Sequence, residues 1–129
     1  MAEAREALRG LKVLVVEDSF LVADDLAATI AELGCEVVGP AASLQDGLRL
    51  AGEPGLAGAF LDVNLSRSGT SFAIAEKLEE RGVPFVFLSG YDLDTAFPPA
   101  FRSAARLPKP VDPQHLARAL MRFLAARRR

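Results

Sequence analysis

The chain has 129 residues, half of them apolar and a quarter charged, with a formal net charge of −2. That is the length of one domain and an ordinary globular mix, which excludes two full cores, a disordered chain and a global field for nucleic acid. A single cysteine (Cys35) excludes a disulfide framework or a cysteine-based zinc cluster, a single histidine (His115) leaves one candidate base for a serine–histidine–aspartate site, and no apolar run suits a membrane span or signal peptide, so a cytoplasmic domain is expected.

Residues 1–10 read as a short polar lead-in, compatible with a helix. Residues 11–16 (LKVLVV) are a continuous apolar run ending at Glu17 and Asp18, which predicts a strand covered on both faces. Residues 20–33 have helical spacing, with Val22, Leu26, Ile30 and Leu33 on one face and Gly34 as the stop. Residues 36–39 predict a second strand. Ser43, with Asp46 three residues on, starts a helix that turns Leu44, Leu48 and Ala51 inward until Gly52, Pro54 and Gly55 break it. Residues 58–61 predict a third strand that runs into Asp62, and residues 65–69 a polar loop. Residues 70–81 predict a helix with Phe72, Ala75 and Leu78 inward and Gly82 as its stop. Residues 84–88 predict a fourth strand ending at Ser89 and Gly90, after which Pro98 and Pro99 interrupt 92–105 where a helix would otherwise lie. Residues 106–109 are a brief fifth strand. Asp112 caps a last helix with Pro113 at its first position and Leu116, Leu120, Phe123 and Leu124 on its apolar face.

Strands alternating with helices imply parallel pairing through right-handed crossovers, and five strands in this length fit a doubly wound α/β sheet of the flavodoxin-like order 2-1-3-4-5. Ligands bind outside the carboxyl ends of such strands. The first strand ends in Glu17 and Asp18, the third in Asp62, the fourth in Ser89 and the fifth in Lys109. Any one of these is an ordinary loop or cap residue; together they require four coincidences. Converging carboxylates repel one another unless a cation compensates, and a hard divalent ion such as Mg²⁺ is the simplest one. A carboxylate, a metal, a lysine and a hydroxyl suit phosphoryl transfer, with one carboxylate as a possible nucleophile.

Over residues 11–126 the sequence resembles the receiver domain of two-component response regulators (CheY-like). The elements that carry the likeness are Val13-Leu14-Val15-Val16-Glu17-Asp18, Leu61-Asp62-Val63-Asn64, Phe87-Leu88-Ser89-Gly90 and Leu107-Pro108-Lys109-Pro110. The resemblance implies that Asp62 is the phosphoacceptor, that Asp18 ligates Mg²⁺ directly and Glu17 mainly through water, and that Asn64 gives the metal its backbone carbonyl. It further implies that the Ser89 hydroxyl turns toward the phosphoryl group, that Lys109 pairs with its oxygens, and that the Lys109–Pro110 bond is cis. Phosphate would come from a histidine kinase or a histidine phosphotransfer protein. Such a domain is a phosphoacceptor rather than an enzyme, catalysing only its own phosphorylation and dephosphorylation.

Three departures matter. The helix usually found between the fourth and fifth strands, the family's fourth, is expected to be short or absent. Arg106 stands where receivers usually carry an aromatic switch residue. Pro84-Phe85-Val86-Phe87-Leu88-Ser89-Gly90-Tyr91 is similar to the signature of the FAT GUY subfamily, with Leu88 and Ser89 replacing Ala and Thr, which implies a stand-alone receiver working with HWE-type kinases. Tyr91 is weighed evenly between a loop aromatic and a replacement switch, so Tyr91 and Arg106 mark a candidate switch and partner surface.

Residues 11–129 are expected to form one receiver domain with no output module, so the signal would leave by contact with a downstream protein or by onward phosphotransfer. DNA binding is not expected, because the terminal arginines suit solubility and the helix dipole. Cys35 reads as a small buried residue and His115 as a helix-start surface residue. The competing readings are a receiver-like binding module that works without phosphorylation and, less favoured, a Mg²⁺-dependent phosphohydrolase.

Overall fold

The computed structural model describes residues 2–90 and 97–127. Its elements are α1 (Ala2–Leu8), β1 (Lys12–Val16), α2 (Phe20–Glu32), β2 (Glu36–Ala41), α3 (Leu44–Leu50), β3 (Leu56–Asp62), α4 (Phe72–Glu80), β4 (Phe85–Ser89), β5 (Arg106–Pro108) and α5 (Pro113–Arg127). Short 3₁₀ turns lie at Ser66–Ser68 and Pro99–Phe101. All strand pairings in the sheet are parallel, in the order β2-β1-β3-β4-β5. The continuous apolar runs are explained by this arrangement, because central parallel strands are covered on both faces. Alternate residues of β1 feed two cores. Val13 and Val15 pack with Leu26, Ile30, Phe60, Leu116 and Phe123 on the α2–α5 side. Leu14 and Val16 pack with Ala59, Leu61, Ile74 and Leu78 on the α3–α4 side.

Helix starts follow the chemistry of their first residues. The Asp46 backbone N–H donates to Ser43 Oγ at 3.2 Å, and the Gln114 N–H donates to Asp112 Oδ1 at 2.8 Å. The opening lead-in forms α1 and places Leu8, fully buried, in the core shared with α2 and α5.

Leu26, Ile30 and Leu33 of the α2 segment are buried as expected, and only the first turn differs. Val22 is exposed, and the inward row is Ala23, Leu26 and Ile30. Ala23 is 6% exposed, while Phe20, Leu21 and Val22 at the start of the helix face outward. Strand β2 also continues to Ala41, past Gly39 and Pro40, because an edge strand tolerates a proline that a central strand would not.

Between β4 and β5 the described residues contain only the Pro99–Phe101 turn, as the two prolines predict. Aromatic packing covers the sheet there. Phe97 and Phe101 lie against Phe72, Phe85 and Phe87, with ring centroids 5.3 to 6.0 Å apart and mostly edge-to-face.

Gly58 in β3 faces Phe123 of α5, whose ring also packs on Phe60 at 5.3 Å. A Cβ at residue 58 would sit 2.2 Å from Phe123 Cδ2 and 2.4 Å from Cγ. The clash reaches the root of the ring, so no rotation of a side-chain tip relieves it. Gly58→Ala is expected to destabilise the domain by about 1–3 kcal/mol, read as a lower urea midpoint. An unchanged midpoint would mean that α5 moves freely on the sheet.

Candidate functional site

Strands β1 and β3 are neighbours where the strand order reverses, so their carboxyl ends share one rim. The Glu17 N–H donates to the Ala41 carbonyl at 2.9 Å, which holds this residue at the end of the β1–β2 ladder with its side chain buried. Asp62 is the last residue of β3 and is only 6% exposed. Glu17, Asp18 and Asp62 each offer a carboxylate oxygen, and these atoms lie within 4.8 Å of one another. Lys109 follows β5, and its backbone N–H donates to the Ser89 carbonyl at 2.8 Å, joining the ends of β4 and β5. The Lys109–Pro110 bond is cis. From this position Lys109 Nζ donates to Glu17 Oε1 and Asp62 Oδ1, both at 3.1 Å.

The electrostatics are strained by burial. Desolvation above all, then the hydrogen bond with Glu17 and its negative charge, raise the Asp62 carboxyl to a pKa of about 8 against the opposing pull of Lys109. Burial pulls Lys109 down, but its hydrogen bonds and ion pairs with Glu17 and Asp62 prevail and hold it above the usual 10.5. Glu17 Oε2 is buried and has no hydrogen-bond partner. One ammonium shared by two carboxylates leaves a third carboxylate and this orphan oxygen uncompensated. Clustered oxygen donors of this kind fit a small hard cation.

Ser89 ends β4, half-buried, and Asn64 lies two residues beyond Asp62, in the loop that Asn64 and Thr70 close by a backbone bridge. The rim therefore gathers the segments carrying Glu17, Asp18, Asp62, Asn64, Ser89 and Lys109. Arg106 is engaged elsewhere: its guanidinium lies 3.9 Å from the Phe97 ring centroid and donates to the Arg102 carbonyl at 2.7 Å. Tyr91 lies outside the described residues. The sequence reading missed Ser66, whose hydroxyl donates to the Asp18 carboxylate from a backbone with φ of 48°. The only signal for it was a hydroxyl residue in the loop after Asp62.

A groove of about 450 Å³ opens beside the site between α2 and the β5–α5 connection, and it is lined by Leu21, Val22, Leu26, Val111 and Leu116 with Lys109 at its edge. Leu21 and Val22 in its lining are 78% and 37% exposed. Exposed apolar side chains clustered beside a polar site mark a contact surface.

No protein-family model and no curated protein matches the sequence. Solved structures do. SdrG from Sphingomonas melonis Fr1 is 34% identical, with 92% of this chain and 98% of that one covered at a TM-score of 0.76. A response regulator receiver domain protein from Clostridium thermocellum is 24% identical, with 92% and 97% covered at a TM-score of 0.78. The receiver domain of the sensor histidine kinase PA1611 from Pseudomonas aeruginosa PAO1, described with a magnesium ion coordinated in its active-site cleft, is 21% identical, with 90% and 98% covered at a TM-score of 0.75.

Proposed function

This chain belongs to the response regulator receiver family, and we propose that within it the chain accepts a phosphoryl group on Asp62 from the phosphohistidine of a histidine kinase or phosphotransfer protein. The observation that carries this reading is the meeting of Glu17, Asp18 and Asp62 within 4.8 Å with Lys109 Nζ bonded to two of them. An oxygen of Asp62 attacks phosphorus, the nitrogen–phosphorus bond breaks, and imidazole leaves with the electron pair and takes up a proton. The product is an acyl phosphate. Lys109 neutralises the phosphoryl oxygens, and the Ser89 hydroxyl donates to them. Glu17, Asp18, Asp62 and the Asn64 carbonyl would hold Mg²⁺, which when bound supplies the positive charge that the carboxylates lack. The orphan oxygen of Glu17 supports that occupancy. The chain turns over no external substrate; it catalyses only its own phosphorylation and dephosphorylation.

The Pro84 to Tyr91 signature supports a stand-alone receiver of the FAT GUY type, served by an HWE-type kinase and signalling through a downstream protein or by onward transfer. No described helix is long and apolar enough to cross a membrane. The test is incubation with a small phosphodonor. The expected result is Mg²⁺-dependent, base-labile labelling, and a protein that stays unlabelled at saturating donor and Mg²⁺ would overturn the reading.

The apolar groove beside Lys109 suits a helix that brings its phosphohistidine to Asp62. Replacing Leu21 and Val22 by alanine is expected to slow transfer from a cognate kinase about tenfold or more and to leave labelling by the small phosphodonor unchanged. Equal loss with both donors would mean that the pair supports the site rather than the partner.

A further inference from the structure

Two of the three clustered carboxylates, Glu17 and Asp62, are held by Lys109 Nζ. The third is held differently. No described ion pair includes Asp18, and its described side-chain donor is the Ser66 hydroxyl. A hydroxyl orients a carboxylate without neutralising it, so Asp18 keeps its charge. The bond goes to Oδ2, one of the two carboxylate oxygens, and Asp18 still offers an oxygen to the cluster with Glu17 and Asp62. The loop after β3 places Ser66. Leu65, 1% exposed, anchors that loop in the core. The Leu65 N–H donates to the Gly69 carbonyl at 2.6 Å, the Ser68 N–H donates to the Leu65 carbonyl at 2.9 Å, and the Asn64–Thr70 bridge closes the loop. The segment that carries Asp62 and Asn64 therefore also reaches back to the end of β1.

Holding Ser66 there is unfavourable for its backbone. Its φ is 48°, and it is the one non-glycine residue at positive φ among the described residues. Glycine or asparagine adopts that conformation more readily. Ser66 is exposed and Asp18 half-buried, so their bond competes with water and adds little to the stability of the fold. A strained backbone whose side chain contributes little to the fold, and which touches a member of the acidic cluster, points to the task of that cluster.

We propose that Ser66 is a positioning residue for the cation: its hydroxyl fixes the Asp18 carboxylate in the orientation that receives Mg²⁺ and so sets the affinity of the site. The proposal rests on the phosphoacceptor reading, in which Asp18 is a ligand. A carboxylate without this bond rotates, and the ion must restrict it on binding; one already held loses less freedom.

The test is calorimetry of MgCl₂ binding to the full, unphosphorylated chain. Ser66→Ala is expected to weaken binding about tenfold or more, as removal of a partner that orients a metal ligand does. Ser66→Gly relieves the backbone but lacks the hydroxyl, and should lose as much. Ser66→Asn suits the positive φ and can donate from its amide, so it should bind more tightly than Ser66→Gly. With a small phosphodonor, the Mg²⁺ concentration for half-maximal labelling of Ser66→Ala should rise by the same factor, and excess Mg²⁺ should restore the rate. A serine that only supported the loop would lower the urea midpoint when replaced and leave the affinity of the folded protein unchanged. Wild-type affinity in Ser66→Gly, tighter binding in Ser66→Ala, no gain in Ser66→Asn, or a rate that excess Mg²⁺ fails to restore would overturn the proposal and leave the phosphoacceptor reading in place. A wild-type chain that binds no Mg²⁺ would overturn both.

Discussion

Asp62→Asn is expected to cut labelling by a small phosphodonor to below about a thousandth of the wild-type rate, because the amide has no lone pair basic enough to attack phosphorus. The same substitution is expected to stabilise the cation-free domain at neutral pH. The Asp62 carboxyl is buried beside Glu17, with its pKa raised to about 8, so ionising it within the fold is unfavourable. A neutral isostere removes that burden while still offering Lys109 an oxygen, a gain of about 1–2 kcal/mol. Loss of activity with gain of stability separates a functional carboxylate from a structural one, whose removal would lower both or neither. Full-rate labelling of the variant would place the nucleophile elsewhere. A lower melting temperature would show that Asp62 stabilises the fold as an ion pair with Lys109.

The convergence of Glu17, Asp18, Asp62, Ser89 and Lys109 was legible because it follows from two rules: alternating strands and helices give a parallel sheet, and its ligands gather at the carboxyl ends. A residue at the end of an apolar run is placed by the run, whatever the loop after it does. The features missed are those that depend on packing. Hydropathy ranks valine over alanine, so at the first turn of α2 it favours Val22, where the structure buries Ala23; the rest of the expected face, Leu26, Ile30 and Leu33, is buried. The expected second strand stops at Gly39, two residues short of β2, because the sequence does not say that this strand lies at the edge, where Pro40 is tolerated. Ser66 reaches Asp18 across a loop, and no spacing rule encodes that. The shortened β4–β5 connection was visible in Pro98 and Pro99, but its compensation by Phe72, Phe85, Phe87, Phe97 and Phe101 was not, since those rings come from three separate segments.

The stabilisation that Mg²⁺ confers is expected to grow steeply between about pH 5.5 and pH 8. In the cation-free fold the Asp62 carboxyl titrates near 8, against an ordinary 3.8. The native state therefore holds a proton that the unfolded chain has already lost. Its contribution to stability is complete below about pH 4, falls as the pH rises through the interval, and is gone above about pH 8. A divalent ion competes with that proton, so its apparent affinity rises as the pH approaches 8 and binding below that point releases a proton. At a hundredfold excess over its dissociation constant the ion adds about 2.7 kcal/mol near pH 8, and far less near pH 5.5 where the proton occupies the site. Melting temperatures with and without Mg²⁺ at the two pH values measure this directly, and Asp62→Asn should flatten the cation-free pH slope. Equal Mg²⁺ shifts at both pH values, or the same slope in the variant, would mean that Asp62 is ionised without the metal and that Lys109 alone offsets its charge.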